Sequence, residues 1–463
     1  MKKYLFLVIF LTGCMVGPNY KRPEVAMPEG FLESKKTEAI SSIRSWWKSF
    51  NDPVLDRLID QAIESNYDLA IAIEKIEETR AYYRIRRADL FPEVDASAAA
   101  FRTGLSQNSL MTSFVPLSAF NTFQAGFDAV WEIDIFGKLR REKEAAWYEV
   151  QEMQENMRDT FVTVTSEVAR NYADICSAAG FISLTKEKIN TRRAILQLNR
   201  DRNDTGLESR IEIEEQIAML KIDEEDLLFY ETFYKQTIYR LAALLGKQPE
   251  SVNEWFKEPA RVLKAAGKVA VGLPSELLRR RPDVRAAERN LARATAKIGA
   301  AIAEYFPSFS LTGGTGLEAN KMHSLFSGGS FDWSVGGLMK WPLITFGRVR
   351  ANVDVKKSVQ KQALLSYENA VVLALKDVEG AMVAYYNQQD KLKQVEEEEI
   401  AIRRKVRLLE SKYQSGLSGL EAYLAQKYEL LTQQVKTVET ERTLALDLIA
   451  LYKALGGGDW PST

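Results

Sequence analysis

The sequence predicts an internally duplicated chain that combines long α-helices with short strands of a membrane β-barrel. Three observations carry this prediction: two proline-free stretches with helical spacing, two pairs of segments with strand spacing, and matching motifs in both halves. Phe-Gly motifs open the helical stretches at Gly137 and Gly347, and Gly-Leu motifs close them at Gly206 and Gly416. Both ends of the second copy lie 210 residues after those of the first.

Each proline-free stretch has the pattern of one long amphipathic helix. No proline lies between Pro116 and Pro249 or between Pro342 and Pro461, and a proline inside a helix costs about 3 kcal/mol. Apolar residues recur every three or four positions, which keeps them on one face of a nearly straight helix. At 1.5 Å per residue each helix would be about 100 Å long, and an amphipathic helix of that length needs partners along it.

Alternating residues predict four strands, at about 93–101, 123–135, 308–316 and 331–343. Segments of about ten residues with aromatic residues near their ends are typical of a membrane β-barrel. A soluble sheet packed on a helix is the alternative. Four strands cannot close around a lumen, so the membrane interpretation requires an oligomer. The lumen would then be lined by the polar residues Asp95, Asp128, Glu132, Asp134 and Asp332, with Lys340 as a counter-charge.

Further motifs align the halves and set the predicted domains. Asn66 to Leu69 corresponds to Arg281 to Val284, 215 residues later. Each half then consists of a helix, a strand pair, a long helix, a turn and a shorter helix. The predicted segments are a signal at 1–13, an arm and first helix at 14–65, repeat 1 at 66–246, a linker at 247–280, repeat 2 at 281–456 and a tail at 457–463.

The N-terminus has the pattern of a secretory signal. A basic start precedes an apolar run that is too short to span a bilayer. The sequence from Leu11 to Cys14 resembles the bacterial lipobox, which implies cleavage before Cys14 and attachment of a lipid to it. An ordinary buried cysteine is the alternative. Farther on, Asp52-Pro53 predicts the start of a helix, with Trp46 and Trp47 as packing anchors.

Composition excludes several function classes. The chain has 62 basic and 63 acidic residues, whereas a dedicated nucleic-acid binder carries a basic excess. It has one histidine, His323, and two cysteines. The sequence shows no metal-ligand spacing, no catalytic constellation and no phosphate-binding loop. We therefore predict a protein that is not an enzyme and holds no cofactor or metal, apart from the lipid on Cys14.

Several motifs together resemble TolC-like outer membrane factors. They are the lipobox, Trp46-Trp47 with Asp52-Pro53, the stretch from Leu277 to Val284 with Glu288, and the duplicated halves. The resemblance covers essentially the whole mature chain and is closest to the lipoprotein branch that works with resistance-nodulation-division pumps. It implies a homotrimer in which each subunit gives four strands to a 12-stranded outer-membrane barrel. It also implies a periplasmic tunnel made of the long helices.

The same resemblance implies a function and partners. The protein would be a passive exit duct for drugs or other small toxic compounds. Its partners would be two further copies, a periplasmic adaptor, an inner-membrane pump and the outer-membrane lipid that surrounds it. Two alternatives stay open: the exit channel of a type I protein secretion system, and a structural periplasmic coiled-coil lipoprotein.

Two groups of site residues follow from the resemblance. For the tip turns the alternative is an ordinary helix C-terminal cap, with glycine in the left-handed position and a base beside it, and for the gate residues it is a solvated helix face. The tip turns would dock the adaptor through Arg202, Gly206, Leu207, Lys412, Gly416 and Leu417. The periplasmic gate would be formed by Arg210, Glu212, Glu215, Tyr413 and Glu421. In a trimer each gate residue becomes a ring of three, and carboxylate rings attract cations. Ser418, Ala422 and Ala425 stand where related chains often carry charges, so the second half departs from the gate pattern.

Overall fold

The computed structural model describes residues 15–32, 45–104, 106, 119–256, 263–264 and 274–458. The predicted signal and Cys14 lie outside these residues, as do most of the loop before residue 119, parts of the linker and the end of the tail. Among the described helices, none is both long and apolar enough to cross a bilayer.

The first helix, α1 (Pro53–Ser65), begins where the sequence predicts it. The Asp52 carboxylate accepts hydrogen bonds from the backbone N–H groups of Val54 at 2.8 Å and Leu55 at 3.2 Å. Proline at the first helical position sets the backbone angle without losing a needed donor. The preceding turn buries Trp46 and Trp47, and the Trp46 ring stacks on Tyr452 at 5.3 Å between centroids. Their predicted role as packing anchors is confirmed.

The duplication is confirmed helix by helix, because each helix of the first half has a partner of equal length in the second. Three pairs share lengths of 22, 67 and 35 residues: α2 (Tyr67–Ala88) with α7 (Pro282–Ala303), α3 (Lys138–Asp204) with α8 (Arg348–Gln414), and α4 (Arg210–Leu244) with α9 (Leu420–Ala454). Two short helices, α5 (Pro249–Asn253) and α6 (Pro274–Arg280), lie in the predicted linker. The long stretches are unbroken helices, as the absence of proline predicts.

The four strands form one antiparallel sheet in the order β1-β2-β3-β4. Their bounds differ from the predicted ones by a few residues: β1 is Glu93–Thr103, β2 Phe120–Ile133, β3 Ser308–Ala319 and β4 Phe331–Lys340. Strand β4 stops before Pro342, which has no N–H to donate to a ladder. Strand β2 stops before Asp134, whose side chain caps the next helix as described below.

The register places apolar and polar residues on opposite faces of the sheet. Phe127 pairs with Ala96 on one side and Thr315 on the other, and its neighbour Asp128 pairs with Asp95 and Gly314. Successive side chains of a strand point to opposite faces, so the apolar and polar rows stay separate across the sheet. Strands β1 and β4 each have one edge without a strand partner among the described residues.

The chain divides into two compact units that do not follow the two repeats. The described residues of one unit lie within 1–24, 75–153 and 286–367, and those of the other lie within 25–74, 154–285 and 368–463. Each unit contains segments of both repeats, and α3 and α8 contribute to both units. The first unit contains the sheet. The second contains a core in which Leu55, Ile59 and Ile238 are fully buried.

Candidate functional site: tip turns, gate residues and the polar strand face

Both predicted tip turns have the same backbone geometry. Gly206 and Gly416 have positive φ angles of 75° and 72°. The N–H of Leu207 bonds to the carbonyl of Arg202 at 2.8 Å, and the N–H of Leu417 bonds to the carbonyl of Lys412 at 2.8 Å. This pattern is the Schellman cap, in which glycine takes the left-handed position that closes a helix. It leaves both leucine side chains exposed beyond the ends of α3 and α8.

An ion pair joins the two tips to each other. The Arg202 guanidinium at the end of α3 contacts the Glu421 carboxylate at the start of α9, and it lies 3.3 Å from the carboxylate of Glu208. The structure therefore brings a predicted docking residue together with a predicted gate residue. Both partners are partly exposed, so the pair contributes at most about 1 kcal/mol to stability. The pair mainly fixes the position of the first turn of α9 relative to the tip of α3.

The other predicted gate residues are arranged more loosely. The Ser209 hydroxyl donates a hydrogen bond to the Glu212 carboxylate, which lowers the pKa of Glu212. The Tyr413 ring stacks on Tyr423 with centroids 6.2 Å apart. Arg210 and Glu215 are exposed, and neither forms an ion pair within the described residues. Within one subunit the Glu421 carboxylate is held by Arg202.

A buried charge cluster near the tips was not predicted from the sequence. Asp223 of α4 is buried, and its carboxylate lies 3.2 Å from the Lys188 ammonium and 3.3 Å from the Arg192 guanidinium, both from α3. The Tyr428 hydroxyl of α9 donates to the same carboxylate at 2.6 Å, and the Arg192 guanidinium lies 3.9 Å from the centre of the Tyr428 ring. Burial opposes the charge on Lys188, but Tyr428 and Asp223 raise its pKa overall.

The sequence did contain a signal for this cluster. Leu220 and Leu227 belong to the apolar row of α4, and Asp223 occupies the position between them at helical spacing. A carboxylate in an apolar row is rarely buried unless it is paired. Lys188 and Arg192 are four residues apart on α3 and so share one face. An acidic residue in the row and two bases one turn apart were together sufficient to suggest the pairing.

The polar face of the sheet carries five of the six residues predicted to line a lumen. They are Asp95, Asp128, Glu132, Asp332 and Lys340, which the register places on one face. The Ser97 hydroxyl donates to Asp128 at 3.1 Å. Glycine at positions 126, 314, 316 and 336 places no side chain on the polar face between these charged residues. Among the described residues, no group of three or more His, Cys, Asp or Glu side chains is arranged to hold a metal ion.

The sixth residue predicted to line a lumen, Asp134, lies beyond the end of β2 and not on the polar face of the sheet. It follows the end of β2, and its carboxylate accepts hydrogen bonds from the backbone N–H groups of Leu139 at 3.2 Å and Arg140 at 2.9 Å. The Arg140 side chain also donates to it at 3.0 Å. An aspartate here satisfies donors at the start of α3, where negative charge is favourable. Asp134 matched the alternation of β2 only because it lies two residues after Glu132, although the strand ends at Ile133.

The first described residues bind at the turn between β2 and α3. The N–H of Val16 bonds to the carbonyl of Phe136 at 3.1 Å. The buried Arg141 side chain donates to the carbonyls of Val16 and Gly17, both at 3.2 Å, and to Asn19 at 2.8 Å. A lipid attached one residue before Met15 would therefore start close to the end of the sheet. Cys14 itself lies outside the described residues, so its lipidation stays a prediction.

Known proteins match this chain over nearly its whole length. The model of the outer membrane efflux protein family matches residues 58–247 and 273–457. The solvent efflux pump outer membrane protein SrpC of Pseudomonas putida is 29% identical over 462 residues, covering 98% of this chain and 97% of the relative.

Solved structures agree with the sequence relatives. The outer-membrane channel OprN is 29% identical with a TM-score of 0.85, covering 96% of this chain and 99% of that one. The MtrE outer membrane channel of Neisseria gonorrhoeae is 28% identical with a TM-score of 0.83, covering 96% and 98%. The helices, the sheet and the matched relatives all indicate one architecture. The chain belongs to the outer membrane efflux protein family and is an outer-membrane channel component of an efflux system.

Proposed function

We propose that this chain is the exit duct of a tripartite efflux system that carries small toxic organic compounds out of the cell. The proposal rests on a four-stranded sheet with one apolar and one polar face. Along the chain, strands β2 and β4 are each followed by a helix of 67 residues. The apolar face suits lipid and the polar face suits a water-filled lumen. The two long helices are suited to extending such a lumen into the periplasm.

Three copies assemble to close the duct. An open sheet edge in lipid leaves backbone N–H and C=O groups unsatisfied, and closing the barrel satisfies them. Strands β1 and β4 supply the two free edges, so neighbouring copies pair there and three copies give a 12-stranded barrel. Lipid on Cys14 would add an anchor at the end of the sheet, next to the turn that Val16 and Arg141 fix.

The transported compounds are small and chemically varied. The relative SrpC is a component of a solvent efflux pump, which supports organic solvents and amphiphilic drugs as the substrate class. The acidic residues on the polar strand face favour cations over anions. An inner-membrane pump of the resistance-nodulation-division class supplies the energy.

The tips connect the duct to its partners and control its opening. Exposed Leu207 and Leu417 dock helical hairpins of the periplasmic adaptor, because an apolar side chain on a rigid turn is a suitable anchor. In a trimer the Arg202–Glu421 pair occurs three times around the constriction, together with Glu212 and Glu215. Docking of the adaptor breaks these weak pairs and opens the duct.

Deletion of the gene tests the proposal in cells. The deleted strain should accumulate a fluorescent amphiphilic dye and several drug classes several-fold more than the parent, and the wild-type gene should restore efflux. As the control for complementation, Glu225→Gln changes an exposed residue of α4 and should restore efflux equally. Unchanged accumulation of every compound, with loss of a secreted protein instead, would contradict efflux and favour protein secretion.

A further inference from the structure

The charges of the sheet are divided between its two faces. All six carboxylates of the strands lie on the polar face: Glu93, Asp95, Asp128, Glu132, Glu318 and Asp332. The apolar face has one charged residue, Arg102, which pairs with Asn121 at the end of the sheet away from the long helices. One base thus lies among apolar residues, with every acid of the strands on the opposite face.

The apolar rows below Arg102 match the height of the apolar band of an outer-membrane barrel. On β2 these rows extend from Phe123 to Ile133. At 3.4 Å per residue they span about 34 Å of strand, which is about 24 Å of height at a tilt of about 45°. The apolar band of such a barrel is about 25 Å tall. Arg102 and Asn121 lie one row beyond it, which is the level of the lipid headgroups.

A second base lies at the same level. Lys321 comes two residues after Ala319, which pairs with Phe123, so it reaches the level of Asn121 just beyond the end of β3. Its side chain is exposed. The Arg102 guanidinium donates a weak hydrogen bond to the Asn121 side-chain oxygen at 3.4 Å. Within the residues that the structure describes, neither base has a carboxylate partner.

The outer loops supply no acidic partner for these bases. Residues 104–119, between β1 and β2, contain no Asp or Glu, and neither do residues 320–330, between β3 and β4. Glu318 lies on the polar face, where Gln124 donates to it at 2.7 Å. A second copy that pairs its β4 with β1 presents on the apolar face only Phe331, Trp333, Val335, Gly337 and Met339. The counter-charge for the two bases therefore comes from outside the protein.

We propose that Arg102 and Lys321 bind the phosphates of an outer-leaflet glycolipid whose acyl chains lie on the apolar rows below. A guanidinium binds two phosphate oxygens at once, and a lysine adds a point charge on a flexible stem. The two bases are two strand spacings apart, about 10 Å, which suits a sugar headgroup with a phosphate at each end. A free phosphate would gain the charges without the apolar contact. This inference rests on the proposed function, in which the apolar face contacts lipid.

Titration of lipid A onto the purified, delipidated protein in detergent, followed by native mass spectrometry, tests this site. Arg102→Gln and Lys321→Gln should each weaken binding about fivefold, and the double variant about thirtyfold, because each base near a lipid headgroup contributes separately. Arg102→Lys keeps the charge and should lose no more than about twofold. Circular dichroism checks that each variant is folded.

Lys340→Gln is the matched control, because it removes a base of the same sheet from the polar face. This variant should bind lipid A like wild type. Lipid A from which both phosphates have been removed should bind wild type and the double variant equally. An excess of inorganic phosphate should leave the bound lipid in place.

The outcomes separate this inference from the function on which it rests. A double variant that binds lipid A as tightly as wild type, or an equal loss in Lys340→Gln, would overturn the lipid site. Displacement of lipid A by inorganic phosphate would also overturn it, in favour of an ordinary anion site. Conductance of the same proteins in a planar bilayer tests the duct separately: pores with unchanged lipid binding would overturn the lipid site alone, whereas a wild type that forms no pores would overturn the exit duct.

Discussion

Asp223 is the residue whose loss should damage the tip region most. It is buried between Lys188 and Arg192 and accepts the Tyr428 hydroxyl, so it links α3, α4 and α9. Asp223→Asn leaves two buried cations without a counter-charge, which should cost about 3 kcal/mol. Thermal unfolding followed by circular dichroism should show a lower midpoint for this variant.

The exposed neighbour Glu225 provides the control for that prediction. Glu225→Gln removes a carboxylate of the same helix that forms no ion pair among the described residues. The free energy of unfolding should therefore stay within about 0.5 kcal/mol of wild type, and the thermal midpoint should hardly change. Equal midpoints for the Asp223 and Glu225 variants would show that the cluster does not stabilise the tip.

Gly206 should act through backbone geometry alone. An added Cβ would meet no atom within 4 Å, yet φ is 75°. Gly206→Ala should therefore cost about 1–2 kcal/mol, the penalty for an L-residue in the left-handed region. Gly206→Asn should cost less, because asparagine adopts this region more readily. Chemical denaturation compares the two, and equal stability of the alanine variant and wild type would contradict the expected strain.

At the scale of elements, Arg141 should hold the N-terminal arm on the first unit. Its side chain bonds to Val16, Gly17 and Asn19. Arg141→Ala should expose the arm to trypsin after Lys21, several-fold faster than in wild type. Lys143→Ala, a substitution on the same helix turn without these bonds, should leave cleavage unchanged. Equal cleavage rates in all three proteins would show that the arm is held by other contacts.

The two faces of β4 should respond oppositely to charge. Val335 lies on the apolar face and Ser334 on the polar face. A lysine facing lipid costs about 2–4 kcal/mol near the bilayer midplane, so Val335→Lys should refold poorly into vesicles, whereas Ser334→Lys should refold like wild type. The reverse order would mean that the apolar face does not contact lipid.

Patterns that repeat along the chain were the ones the sequence predicted well. Helix spacing, the absence of proline and the alternation of β2 and β4 are local, so α3, α8 and the two-faced sheet could be predicted. Asp134 was misplaced because its capping bonds to Leu139 and Arg140 depend on where β2 stops. The Arg202–Glu421 pair was missed because its partners lie 219 positions apart, and no local pattern encodes such a pairing. The Asp223 cluster did have a local signal, the acidic residue in the apolar row of α4.

At the scale of the whole molecule, duplication leaves each copy incomplete. Both sheet edges lack a strand partner among the described residues, and the face of α8 that carries Leu365 is uncovered. In the proposed assembly another copy satisfies the sheet edges, with β1 against β4. Assembly and channel formation are therefore one event, and a folded monomer should not conduct ions.

Ion conductance of the purified trimer in a planar lipid bilayer tests the central claim most directly. Wild type should form pores that are mostly closed, with a preference for cations. A variant with Glu212→Gln, Glu215→Gln and Glu421→Gln should open more often and lose much of that preference, because the ion pair with Arg202 is gone and the carboxylate rings are neutral. A stable trimer that conducts no ions in either form would contradict the exit duct.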